Sequence, residues 1–291
     1  MSLLLLFVDG LGLGAPEGNP LLQPGVELLR FGPDIEVNYG FRGGAARSVD
    51  ATMGVPGLPQ SATGQTAIFT GVNTARLLGR HLSGWPNARL RRLLEADSIF
   101  LRLRRAGKRA TFANAFTPAY FLRPPGRMSA STLHMLGAGL RPRWVWQIAT
   151  GEAIFQDFSN RFLIENGFDV PEHSPEAAAA NLAGLLGKHD FVLYEFFLTD
   201  AAAHRRIDIE AAEVILLLER MLRALLDTTD LERHCVMLCS DHGNIEDAST
   251  RSHTANPVPL VAWGRRADRV LKGVESITGI ADAACRCVLD G

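Results

Sequence analysis

The sequence predicts an α/β protein with a mostly parallel central sheet flanked by helices and a small cap or insertion over about 117–170. Three observations predict it. Residues 3–8 and 235–239 are continuous apolar runs, and 191–198 is one broken only by Glu195, as expected of parallel strands covered on both faces rather than alternating surface strands. Each run ends in an acid, at Asp9, Asp200 and Asp241. Helix-like segments separate the runs, the alternation that builds parallel sheets.

The elements follow in order. The first strand ends at Asp9 and leads into a loop with Gly10, Gly12 and Gly14. Residues 15–58 are rich in Gly and Pro and give no clear element. A helix is expected over 62–70 with Ser61 at its first turn, and one amphipathic helix over 90–106. Residues 110–115 read as a strand. From about 117 to 170, Pro118, Pro124, Pro125 and Pro142 interrupt the pattern, and Trp144, Trp146, Phe155, Phe158 and Phe162 add aromatic bulk, which reads as a small cap. Residues 175–186 begin with a proline and an acid, a helix-start signal. A long helix is expected over 209–226, a short strand over 259–263 and a closing helix over 277–289.

The 291 residues, 47% of them hydrophobic, suffice for one large core. With 30 basic and 31 acidic side chains the formal net charge is −1, so no global field favours nucleic acid or an anionic membrane. No apolar run approaches the roughly 18 residues of a membrane span, and the opening run lacks the basic flank of a secretory signal. Cys235, Cys239, Cys285 and Cys287 form no metal-knuckle spacing and fit a reducing, cytoplasmic setting.

An acid at one strand tip is an ordinary turn or cap residue. Three in one parallel sheet converge, because parallel strands bring their C-terminal ends to the same side. Histidines accompany two of them. Asp200 and His204 are four apart and share a face if helical. His242 follows Asp241, and His253 sits in a polar stretch with little reason to be core. Mixed carboxylate and imidazole donors suit zinc or manganese better than calcium, and two such ions serve hydrolytic or phosphoryl-transfer chemistry. Ser61 offers a hydroxyl at a helix start, where backbone N–H groups favour an anion. Taken alone, Ser61 reads as a helix cap. Thr63 and Thr66 are the other hydroxyls in that segment. Arg123 and Arg127, in the cap beside Pro and Gly, are candidates to clamp a phosphate.

These residues carry a resemblance. The chain is similar to the alkaline phosphatase superfamily, on the branch of cofactor-independent phosphoglycerate mutase and phosphopentomutase. The segment from Phe7 to Gly12 resembles the first metal-ligand segment, and that from Gln60 to Gln65 the nucleophile segment. Asp200 to His204 resembles the Asp-x-x-x-His pair. The most specific match is Ser240-Asp241-His242-Gly243-Asn244 with the stretch from His253 to Pro259.

The resemblance implies two divalent ions, Mn2+ or Zn2+. One would be held by Asp200, His204 and His253, the other by Asp9, Asp241, His242 and the Ser61 oxygen. It also implies a phosphoserine at Ser61 and a small phosphorylated substrate. Two departures bear on the reaction. The mutases carry a large extra domain over the metal core, and their nucleophile segment has Glu and His where this chain has Ala62 and Gln65. A mutase must keep water from its intermediate. The sequence therefore leans toward a phosphatase, with a phosphomutase and a non-catalytic metal-binding protein as the alternatives.

Overall fold

The computed structural model describes residues 1–35 and 41–290. In chain order its strands and α-helices are β1 (Ser2–Val8), β2 (Ala45–Val49), α1 (Ser61–Thr70), α2 (Thr74–Leu78), α3 (Ala88–Ala96) and α4 (Ile99–Arg105). There follow β3 (Ala110–Phe112), β4 (Ala115–Phe116), α5 (Ala130–Gly137), β5 (Arg143–Trp144), α6 (Arg161–Glu165) and α7 (Pro175–Leu186). The chain closes with β6 (Phe191–Phe196), α8 (Leu198–Ala203), α9 (Ala211–Thr228), β7 (His234–Cys239), β8 (Val258–Trp263), α10 (Ala267–Leu271) and α11 (Ile280–Leu289).

Six strands form one sheet in the order β2-β8-β7-β1-β6-β3, and β4 and β5 make a second, two-stranded one. β1 lies at the centre, parallel to β6 and β7, and β3 extends the parallel half. The unbroken apolar sequence of β1 follows from its position. Leu3, Leu5 and Phe7 face a core shared with Phe69 of α1, Phe100 of α4 and Ile280 of α11. Leu4, Leu6 and Val8 face another, shared with Leu182 of α7 and Leu218 and Leu222 of α9. All six are fully buried, each contributing roughly 1.5–3 kcal/mol relative to exposure.

The strand over 259–263 exists, but it runs antiparallel to β7, and β2 runs antiparallel to β8. The reason is local: no helix lies between β7 and β8, so the chain cannot cross over and returns alongside. That return is a long loop, and it carries much of the site. β2 sits in the stretch that gave no sequence signal, of which 36–40 lie outside the described residues. Its half-exposed Ala-Ala-Arg-Ser residues explain the weak signal. The helix expected over 90–106 is two helices. Asp97 and Ser98 take extended backbone between them, while Arg102 and Arg105 reach back to Asp97 across the break.

Residues 117–170 contribute to two places. Ala130, Leu133 and Met135 of α5 pack into the core around Phe69 and Phe100. Val145, Ile148, Ala153, Phe155 and Leu163 cluster separately with Ala115.

Candidate active site

Asp9, Asp200 and Asp241 follow the C-terminal ends of β1, β6 and β7, and the parallel register places those ends side by side. Asp200 and His204 are one helical turn apart, on α8 and at its C-terminal cap. His242 and His253 come from the loop between β7 and β8.

Two carboxylate–imidazole clusters result. The ligand atoms of Asp200, His204 and His253 lie within 4.8 Å of one another, as do those of Asp9, Asp200 and His242. Asp200 borders both. Its Oδ1 lies 3.3 Å from His204 Nε2 and 3.5 Å from His253 Nε2. Asp241 joins the inner cluster from behind, with Oδ2 3.5 Å from His242 Nε2. The rings of His242 and His253 stack at 3.7 Å between centroids, which ties the two clusters together.

The donors fit a cation on two grounds. His204 Nδ1 faces the Arg251 carbonyl at 2.7 Å and His253 Nδ1 faces the Pro59 carbonyl at 2.9 Å. A carbonyl only accepts, so each Nδ1 carries the proton and each Nε2 presents a lone pair. Those two Nε2 atoms stand 3.1 Å apart. Buried Asp9 Oδ1 and Asp241 Oδ2 accept no hydrogen bond, an arrangement that is costly unless positive charge compensates it.

The electrostatics agree. Burial, then the neighbouring charges of Asp241 and Asp200, push the Asp9 carboxyl up to about 8. Burial, then Asp200, likewise raises Asp241. Burial also opposes ionisation of Asp200, yet the neighbouring His253 imidazole, the charge of His242 and the bond from Asn244 leave it well below the usual carboxylate range. Burial would lower His242, but Asp241 and Asp9 push it up to about 10. Every one of these carboxylates competes for positive charge.

Ser61 occupies the first helical position of α1, after Gln60 as cap, and Gln60 makes no side-chain capping bond. Ser61 Oγ instead lies 3.2 Å from His242 Nε2. The neighbouring hydroxyls are occupied elsewhere. Thr63 Oγ1 donates to the Gln60 carbonyl and Thr66 Oγ1 to that of Ala62, and both side chains are fully buried. Gly64 lets α1 approach: a Cβ there would lie 2.9 Å from the Cβ and carbonyl oxygen of Asp241. Gln65 Nε2 donates to Asp9 Oδ2 at 3.3 Å.

Arg123 and Arg127 are exposed. The Arg123 guanidinium sits over the Tyr120 ring at 5.0 Å, and the Tyr120 hydroxyl contacts Thr132 at 2.9 Å in the first turn of α5. From that turn Ser131 donates to buried Glu195, which burial pushes up to about 7.

Sequence reasoning missed Glu246. It is almost fully buried and accepts four hydrogen bonds. Its Oε2 receives the backbone N–H groups of Gly12 and Asn244, and its Oε1 the side chains of Thr254 and Asn256. It thus fastens the loop after Asp9, the loop after Asp241 and the segment after His253 to one another. Asn244, held there, donates to Asp200 Oδ1 at 2.8 Å. A Cβ at Gly12 would lie 2.3 Å from Glu246 Oε1, so the glycine spacing that looked like a plain loop admits this carboxylate. The available signal was an acid three residues after Gly243, in a stretch otherwise matched to metal ligands.

Comparison with known proteins agrees with this geometry. Residues 150–284 match the family model described as the metalloenzyme superfamily. A 2,3-bisphosphoglycerate-independent phosphoglycerate mutase of Thermococcus kodakarensis is 30% identical over 159 residues, covering 49% of this chain and 38% of that protein. The corresponding protein of Pyrococcus abyssi is 28% identical over the same shares. The chain thus spans well under half the length of the curated relatives it matches. Among solved structures, the PH0037 protein of Pyrococcus horikoshii shares the fold at TM-score 0.57 and 16% identity, covering 100% of this chain and 98% of that one. A cold-active alkaline phosphatase of Shewanella does so at TM-score 0.58 and 13% identity, covering 99% and 100%. The sequence is thus similar over about half its length to phosphoglycerate mutases and to the metalloenzyme superfamily, and its fold is shared with alkaline phosphatases. No helix among the described residues is long and apolar enough to cross a membrane.

Proposed function

We propose that the chain is a member of the alkaline phosphatase superfamily and a two-metal phosphoryl-transfer enzyme, with Ser61 as nucleophile and a small phosphorylated metabolite as substrate. The observation that carries this reading is the convergence of Asp9, Asp200, His204, Asp241, His242 and His253 beside the Ser61 hydroxyl, with two buried carboxylate oxygens lacking partners. Asp200, His204 and His253 would hold one cation; Asp9, Asp241, His242 and Ser61 Oγ the other. Manganese and zinc both suit these donors. Bound there, the cations would supply the charge that makes a serine hydroxyl acidic and neutralises phosphoryl oxygens.

Ser61 Oγ attacks phosphorus, the bond from phosphorus to the leaving oxygen breaks, and a phosphoserine forms. An acceptor oxygen then takes the phosphoryl group and frees Ser61. The Ser61 and Ala62 N–H groups in the first turn of α1 would favour an anion there.

The relatives favour a second substrate hydroxyl as acceptor, which is mutase chemistry. Water as acceptor is supported by a different observation: Gln65, where the mutase segment has histidine, donates to Asp9 and leaves no imidazole at that place. Residues 117–170, apart from α5, would act as the cap, with Arg123 and Arg127 on its exposed side.

The test is a panel of phosphoglycerates and sugar phosphates, scored for both isomer and free phosphate on manganese-supplied protein. Isomer without phosphate is the expected result. Phosphate alone selects hydrolysis. No turnover and no label on Ser61, with metal bound, removes the enzymatic reading.

A further inference from the structure

The net charge of −1 hides a local asymmetry. Residues 98–151 hold nine of the 30 basic side chains and none of the 31 acidic ones. Three of the nine are spent on acids from outside the stretch: Arg102 and Arg105 on Asp97, and Arg109 on Asp190. Four others, Arg123, Arg127, Arg141 and Arg143, belong to the segments that carry a chain of aromatic rings. Arg143 donates to Thr111 Oγ1 at 2.9 Å. Arg123, Arg127 and Arg141 are exposed and pair with no acid among the described residues.

The rings follow one another closely. Tyr120 lies 5.1 Å from Phe116, Phe116 5.2 Å from Phe121 and Phe121 5.6 Å from Trp144, and Trp144 stacks on Trp146 at 5.1 Å. The inner end of this chain is buried, with Phe116 in the core beside Phe112. The outer end is open: Trp146 is 59% exposed, and Leu122, next to Phe121, 86%. A single exposed apolar side chain is ordinary. Two on one packed aromatic base, with unpaired arginines in the same segments, make a surface that is both apolar and cationic. That chemistry selects a partner. A second copy of the chain would set arginine against arginine across a two-fold interface. Single-stranded nucleic acid stacks on open ring faces, but Trp146 covers one face of Trp144, and the most exposed group, Leu122, has no ring. A bilayer with anionic headgroups accommodates the whole surface. Leu122 and Trp146 enter the boundary between headgroups and acyl chains, and the guanidinium groups stay among the headgroups.

We propose that the surface formed by Leu122, Trp146, Arg123, Arg127 and Arg141 docks the protein on an anionic lipid membrane. It is rooted near the C-terminal end of β6: the Tyr120 hydroxyl contacts Thr132, and Ser131 in the same turn of α5 donates to Glu195 of β6. Docking requires neither bound metal nor phosphoryl transfer, so it stands or falls apart from the function proposed above.

The test is co-sedimentation of the whole chain with vesicles of phosphatidylcholine alone and of phosphatidylcholine mixed with phosphatidylglycerol. Binding should need the anionic lipid and weaken as salt rises. Leu122→Ser should weaken it about 10-fold or more, through lost apolar burial, and leave the unfolding temperature unchanged, because that side chain faces solvent. Arg127→Gln and Arg141→Gln should each cost about 5-fold. Tryptophan emission should shift to the blue on anionic vesicles, and Trp146→Phe should remove most of the shift. No binding to anionic vesicles, or binding that Leu122→Ser leaves unchanged, overturns the proposal. So does tighter binding to a single-stranded oligonucleotide that Leu122→Ser does not alter, which would assign the surface to nucleic acid.

Discussion

His242 and His134 are both fully buried, and their surroundings drive them in opposite directions. His134 lies on α5 between the rings of Phe100 and Phe69, at 4.1 and 4.6 Å. Burial without a counter-charge pushes it down to about 3. The same burial acts on His242, but Asp241 and Asp9 overturn it and push the imidazole up to about 10. Depth alone therefore does not mark a functional histidine. What separates the two is the company of two carboxylates that each keep one oxygen without a hydrogen-bond partner, and that company is a property of the strand ends.

The largest test of that contrast is at the strand ends. Ser61→Ala should lower turnover by at least about 10^4-fold, the scale of losing a nucleophile, and abolish phosphoryl labelling. Thr63→Ala should keep the label, since its hydroxyl is spent on the Gln60 carbonyl. Intact-protein mass spectrometry of quenched reactions reads both. Label on Thr63, or an active Ser61→Ala, would reassign the nucleophile.

Asp241→Asn should separate binding from folding. Without metal, the variant should unfold at the same temperature as the wild type or higher, because removing one charge relieves the repulsion that raises Asp9 and Asp241. With manganese the wild type should gain thermal stability and the variant much less. A thermal scan of both proteins, with and without metal, checks this. Equal gains would make Asp241 a turn residue.

Glu246→Gln tests whether the loops need their shared fastening. The neutral amide cannot accept four donors as a carboxylate does. Metal affinity or activity should drop about 10- to 100-fold, the range for residues that orient ligands, and thermal stability should fall as well, because the amide leaves buried donors without an acceptor. A variant indistinguishable from wild type would show that the three loops hold their places without it.

Much of this architecture was legible because buried parallel strands write themselves as continuous apolar runs. β1, β6 and β7 announced themselves, and with them the positions of Asp9, Asp200 and Asp241. The ligand histidines were legible by their spacing from those acids. What stayed hidden depends on partners far away in sequence. β2 is half-exposed and pairs only with β8, about 210 residues on. The break at Asp97–Ser98 falls inside an otherwise regular amphipathic pattern. Glu246 acts through four donors that come together only in the folded chain. Residues 130–137 lie between prolines and carry no core signal of their own in the sequence, yet α5 places Met135 and His134 deep beside Phe69 and Phe100.

That last helix supplies the smallest and cleanest prediction, the mirror image of the site. His134 accepts the Phe100 backbone N–H at its Nε2, 3.0 Å away, so the folded state needs it neutral. Its pKa is near 3 folded and about 6.5 unfolded. A depressed folded value means that this stabilisation is fully present above pH 6.5 and is lost as pH falls toward 3. At pH 4 the loss should amount to about 3 kcal/mol relative to pH 7. Carboxylates titrate in the same window, so the comparison is with His134→Gln, which keeps an acceptor for Phe100 and no titration. Denaturant unfolding of both proteins from pH 7 to 4 should show the wild type losing about 3 kcal/mol more than the variant. Parallel pH profiles would mean that protonated His134 is tolerated between its phenyl rings, and the contrast with His242 would lose its physical basis.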